Sequence, residues 1–129
     1  MSEVHKTLLC YYCGVDGSTI RIDVKTRKWL EYFHENILSL VDGDAWELQI
    51  GCLNDVDVVD FKSFALVKVQ HAKHRKIITN GQNFAWYQDA EELITLLGLI
   101  EGLLDGDSPG HQYLTNKDDG ALIMLAYRE

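Results

Sequence analysis

Three groups of residues in this sequence have types and spacings that could do chemistry. The first is Cys10-Tyr11-Tyr12-Cys13, a CxxC inside "TLLCYYCGVDG". A redox CxxC holds its nucleophilic thiol at a helix N-terminus, where backbone N–H groups lower the pKa, and a structural zinc site needs four ligands. This stretch is rich in Leu and Tyr and stops at Gly14, so it reads as a strand. Residues three apart on a strand point to opposite faces, and Cys52 stands alone where a zinc site would need a second pair. The thiols therefore read as small core hydrophobes. The second group, His71 and His74 in "VQHAKHRK", would share a face only on a helix. The segment reads as a strand running into a loop, and its basic neighbours oppose a divalent cation. The third, "DVDVVD" at residues 55–60, lacks the central Gly and terminal Glu of a calcium loop. His5, His34 and His111 have no Ser or Cys partner in a recognisable motif, and Ser108 is followed by proline rather than set in a nucleophile elbow. No phosphate-cradling or dinucleotide fingerprint is present. The sequence predicts no catalytic residues, no metal, no cofactor and no enzymatic activity.

What stands out instead is where the charge lies. The chain of 129 residues carries a net charge of -8. From Trp29 to Phe61 there are eight acids and no Lys or Arg, and from Asp89 to Asp107 six acids and again no base. Between these blocks Lys62–Lys76 holds five bases and no acid. A segregated field of this kind repels nucleic acid and attracts a basic partner, raising its association rate. The basic stretch has no interleaved aromatic platform, which weakens any nucleic-acid reading of it.

The elements that must position these charges can be read from periodicity. Ile20, Ile22 and Val24 alternate with Arg21 and Asp23, giving a second strand that closes a hairpin with residues 7–13 through "GVDG". From Thr26 the period becomes helical: Trp29, Leu30, Phe33, Ile37, Leu40 and Val41 share a face as far as "DGD" at residues 42–44. "WELQIGCL" predicts a strand with Trp46, Leu48, Ile50 and Cys52 on one face, and "FALVKVQH" another with Ala65, Val67 and Val69 inward. The acidic "NDVDVVD" connects them. Asn80-Gly81 marks a tight hairpin. Asp89 with Glu92 three residues later predicts a capped helix carrying Leu93, Leu96, Leu97, Ile100, Leu103 and Leu104 in one stripe. Gly98 and Gly102 lie four apart in that helix, at about 1 kcal/mol each, which predicts a neighbour packed closely against them. Two strands, "HQYLT" and "ALIMLAYR", finish the chain.

This order predicts a single α+β domain over residues 1–129, with two amphipathic helices on a mainly antiparallel sheet. "MSEVHKTLL" has no secretory pattern, no apolar run is long enough to span a bilayer, and three cysteines fit a reducing compartment. These readings predict a cytoplasmic protein without membrane or nucleic-acid partners. In "NFAWYQD", Phe84 and Trp86 share one face and Tyr87 the other, so one of these faces is expected to expose an aromatic beside the second helix.

Residues 83–129 combine a short strand, the Asp89-capped leucine-rich helix, Pro109-Gly110-His111, a strand with Tyr113 and Leu114, and a last strand from Leu122 to Tyr127. This pattern resembles small immunity proteins of bacterial polymorphic-toxin and contact-dependent growth-inhibition systems. The resemblance implies a non-enzymatic cytosolic inhibitor that binds one cognate toxin domain, often a nuclease with a basic cleft, and masks its active site or substrate path. Binding residues vary between members of that family, so none is carried over by position. Charge and resemblance together predict binding through Asp55, Asp57 and Asp60, through Asp89, Glu91 and Glu92 at one end of the second helix and Asp105 and Asp107 at the other, and through Trp86 or Tyr87. The competing reading is a small cytosolic adaptor or regulatory domain that binds a peptide or subunit.

Overall fold

The computed structural model describes residues 6–15 and 17–129; His5, and Asp16 of the predicted first turn, lie outside them. The described elements run β1 (Thr7–Gly14), β2 (Gly17–Val24), α1 (Arg27–Asp42), β3 (Glu47–Gln49), a 3₁₀ turn (Ile50–Cys52), β4 (Val56–Val59), β5 (Ser63–Lys68), β6 (Ile77–Asn80), β7 (Asn83–Gln88), α2 (Ala90–Gly106), β8 (Gly110–Tyr113), a second 3₁₀ turn (Lys117–Asp119) and β9 (Leu122–Tyr127). They form two sheets, β4-β1-β2-β9-β8 and β3-β5-β7-β6. Both are mixed rather than purely antiparallel: β4 runs parallel to β1, β9 to β2 and β7 to β5, while the other four pairings are antiparallel.

Helix α1 forms because Thr26 accepts a hydrogen bond from the Trp29 N–H and apolar residues recur on one side, burying Trp29, Leu30, Phe33, Ile37 and Leu40. Its last turn has no base of its own. Lys68 of β5 supplies one, its Nζ donating to the carbonyls of Leu40 at 2.7 Å and Gly43 at 3.0 Å, where the helix dipole is negative. Helix α2 begins with the predicted capping box: Asp89 accepts from the Glu92 N–H and Glu92 from the Asp89 N–H. Each helix packs chiefly on one strand of each sheet, α1 on β2 and β3 and α2 on β7 and β8, and the helices pack on each other. One buried cluster results, with Leu9, Ile20, Ile22, Ile123 and Leu125 from the larger sheet, Phe64, Leu66 and Trp86 from the smaller, and the apolar faces of both helices. It makes the chain a single α+β domain.

Several local expectations change. The core side of β5 is Phe64 and Leu66, while Val67 and Val69 are only half-buried on the other side. "FALV" is apolar at every position, so alternation alone does not fix its phase. The strand predicted from Trp46 shrinks to Glu47–Gln49, Trp46 is 55% exposed, and Cys52 is exposed in the 3₁₀ turn. The hairpin at Asn80 forms one residue later than predicted: Asn80 pairs with Asn83, and Gly81, at φ 63, takes the first central position. The loop before β9 comes close to β6 at Gly120, where φ is 109 and an added Cβ would sit 2.5 Å from the Ile77 carbonyl oxygen.

Candidate functional site

The two acidic blocks, far apart in sequence, become neighbours in space. Beyond Arg27 and Lys28 neither helix contains a Lys or Arg, yet together they carry Glu31, Glu35, Asp42, Glu91, Glu92, Glu101 and Asp105. The helices run antiparallel. Arg27 at the start of α1 donates to the Leu104 carbonyl at 2.6 Å, and His34, about two turns on, has its Nε2 3.8 Å from Glu101. The same register sets Leu38 at the level of Ile94.

Helical spacing then decides what faces outward. Glu31, Glu35, Leu38 and Asp42 form one stripe on α1 and Ile94, Gly98, Glu101 and Asp105 another on α2, all exposed. Leu38 is 41% and Ile94 57% exposed, two aliphatic side chains in the middle of an acidic surface. Gly98 and Gly102 also lie outward, and an added Cβ at either would meet nothing within 4 Å. No neighbour packs against them, contrary to the expectation from their spacing.

The predicted binding residues do not form one patch. Glu91 and Asp105 are exposed on α2 and belong to the helix face. Asp89 and Glu92 are engaged in the capping box, and Glu92 also pairs with Lys76. Asp107 sits in the left-handed region at φ 46 and closes the other end of α2: it accepts from the Tyr127 hydroxyl at 2.7 Å and pairs with Arg128 at 3.0 Å and Arg27 at 3.4 Å. The Tyr127 hydrogen bond, with Arg128 and Arg27 behind it, holds the Asp107 carboxyl below the ordinary carboxylate range even though desolvation acts against it. Burial, and then donation to Asp107, push the Tyr127 phenol up.

The acids around β4 divide between two surfaces. Asp55, at φ 60, lies beside α1, where Trp29 Nε1 donates to the Asn54 carbonyl at 2.9 Å and the Tyr32 hydroxyl accepts from the Asn54 N–H. Asp57 shares a register position with Leu8 on the far side of the larger sheet and pairs with Lys6 at 3.4 Å. Asp60, at φ 71, acts on the Cys10 thiol from that same side.

Trp86 is corrected outright: it is fully buried, stacked on Phe64 with ring centroids 6.0 Å apart, because its strand face is the core face. Tyr87 is half-buried on the opposite face, in line with Glu47 and Val67. The exposed apolar residues of the helix surface, Leu38 and Ile94, were missed. Each is a single aliphatic at a position the helical period assigns to solvent, and that was the available signal.

The cysteines are not core residues. Cys13 and Cys52 are exposed and Cys10 is half-buried. Cys10 and Cys13 diverge as the strand reading requires, Cys10 lying in register with Arg21 and Val59 and Cys13 3.8 Å from the Tyr11 hydroxyl. Burial, then the Asp23 carboxylate, push the Cys10 thiol up, the opposite of what a nucleophilic thiolate needs. Among the described residues no three His, Cys, Asp or Glu side chains gather as a metal would require, and no helix is long and apolar enough to cross a membrane. No protein-family model, curated protein or solved structure matches this chain.

Proposed function

We propose that this protein is an immunity-type inhibitor that binds a cognate bacterial toxin domain through the outward face of α1 and α2 and masks its active site or substrate path. The observation that carries the reading is the convergence of two acidic helices, with no Lys or Arg beyond Arg27 and Lys28 at the start of α1, into one surface that exposes Leu38 and Ile94. A basic protein surface is attracted over a distance of about a Debye length, ~8 Å at physiological salt. The two aliphatics then give the contact an apolar centre of the kind that resists dissociation. A nuclease is the favoured toxin class, because its cleft must be basic to hold a phosphate backbone and an acidic inhibitor can occupy it. The resemblance of residues 83–129 to immunity proteins supports the same reading.

The test is affinity capture from source cells with the wild-type chain and a Glu35→Lys/Glu101→Lys/Asp105→Lys variant, followed by an activity assay on whatever is recovered. The expected result is one basic toxin domain, retained by the wild type, lost by the variant, and inhibited at a 1:1 ratio. Recovery of a housekeeping complex by both proteins would overturn the reading in favour of an adaptor.

A further inference from the structure

Asp119 is only 7% exposed, the one charged residue that the fold buries among the described residues. One of its carboxylate oxygens, Oδ2, accepts from the Asn116 N–H at 2.8 Å and so caps the second 3₁₀ turn. The other, Oδ1, has no hydrogen-bond partner among the described residues. Nor does Asp119 form an ion pair there, although Lys117 shares its turn and Arg75 lies against the neighbouring Gly120. A carboxylate buried in this way is costly unless something positive reaches it.

Asp119 lines a cleft of about 170 Å³ between α2, the end of β7 and the chain linking β8 to β9. That is well below the roughly 300–1,000 Å³ of sites for drug-sized ligands, so the cleft suits a group of a few atoms. Gln88, 5% exposed, lines it too; its Nε2 donates to the Tyr87 carbonyl at 3.0 Å, and its Oε1 has no partner among the described residues. The Thr95 hydroxyl gives its hydrogen to the Glu91 carbonyl at 3.1 Å, which leaves its oxygen free to accept. Leu96, Leu99 and Leu114 supply an apolar wall. The two remaining lining groups, Lys76 and Glu92, pair with each other, so their charges cancel and the cleft keeps the single negative charge of Asp119.

We propose that this cleft is a binding site for a primary amine carried on a short aliphatic stem. An ammonium group brings one positive charge and three donors to a cleft whose open acceptors are Asp119 Oδ1, Gln88 Oε1 and the Thr95 oxygen. Its methylenes are matched by the three leucines, as the stem of a lysine is on any apolar surface. An anion would be repelled by the uncompensated carboxylate, and a neutral alcohol would leave that charge unmatched. A metal ion is poorly served, because no three His, Cys, Asp or Glu side chains gather among the described residues. A small free amine and the lysine side chain of a protein share this chemistry. Glu92, Thr95 and Leu99 lie on the flank of α2 turned away from Glu101, which lies beside His34 of α1. The cleft is therefore separate from the acidic helix face, and the proposal does not depend on the toxin reading.

Titration of the isotope-labelled full chain with n-butylamine at neutral pH, followed by NMR, tests it. The expected result is a set of saturable shifts at the Gln88 side-chain amide and the methyls of Leu96, Leu99 and Leu114, with a dissociation constant of about 1–10 mM, and none with butyrate. Asp119→Asn keeps an oxygen for the Asn116 N–H and should weaken binding by about tenfold. Thr95→Lys, at an exposed position, brings an ammonium of its own to the cleft and should act in the same direction, which keeps the test valid if Asp119→Asn misfolds. Nα-acetyl-lysine methylamide separates the two sources: binding of both compounds assigns the site to a lysine side chain, and binding of butylamine alone assigns it to a free amine, either of which supports the proposal. No saturation below about 100 mM, an equal response to butyrate, or unchanged affinity in both variants would overturn it.

Discussion

The two broad faces of this domain rest on one core but present opposite chemistry. On the helix side, Glu35, Asp42, Glu91 and Asp105 have no ion-pair partner among the described residues, and two aliphatics lie open between acids. On the sheet side, Asp57 is paired with Lys6 and Asp23 with Lys25 and Arg21, and Tyr12 and Tyr113 are exposed. The comparison teaches that net charge says little about where a partner docks. What matters is which acids are left unmatched after folding, and that depends on tertiary neighbours. Asp107 and Glu101 are only six residues apart, yet the first is held by Arg27, Arg128 and Tyr127 while the second faces solvent beside His34.

If both faces depend on the same core, the largest effect should come from damaging it. Leu66→Ala removes a fully buried side chain and should cost about 2–5 kcal/mol in urea unfolding, with partner binding lost as the population unfolds. The contrast itself is sharpened by Glu35→Lys/Glu101→Lys/Asp105→Lys. It should slow association with the basic partner by roughly 100-fold at low salt and shift stability by no more than about 1 kcal/mol, because these acids hold little inside the fold.

The engaged acid should behave in the opposite way. The Asp107 carboxyl is held below its unfolded value, so its contribution is present above about pH 4 and is lost as pH falls through the lower folded value. Tyr127 is raised, so its contribution is present below about pH 10 and is lost as pH rises through the folded value. Asp107→Asn should flatten the acid limb of the stability profile and Tyr127→Phe the alkaline limb, with partner association unchanged; thermal melts across pH read both. The smallest effect is expected at Gly98 and Gly102. Alanine at either position meets open space and should stabilise α2 by up to about 1 kcal/mol, seen as a higher melting temperature. A lower one would mean that these positions are more confined than the exposed helix face indicates.

The helices were legible because their signals are local. Asp89 and Glu92 form the capping box expected of them, and the leucine stripe from Leu93 to Leu103 is the buried one. The hairpins at Gly14–Gly17 and Gly81 were legible for the same reason. The parallel pairings were not. β9 inserts between β2 and β8, and β7 skips past β6 to reach β5, through contacts that no local pattern encodes. The site was half legible: two base-free acidic blocks could be seen in the sequence, but not that the helices carrying them would lie side by side. Trp86 was misassigned because an aromatic alternation such as "FAWYQ" marks two faces without saying which is wet.

The central claim, that the helix face is a docking surface for a basic protein, is tested most directly by the association rate constant for the captured partner as a function of ionic strength. It should be measured for the wild type and for Glu35→Lys/Glu101→Lys/Asp105→Lys side by side. The account predicts a fast wild-type rate that falls steeply with salt, and a slow variant rate that is flat or rises with salt. Identical rates with identical salt slopes for the two proteins would contradict it.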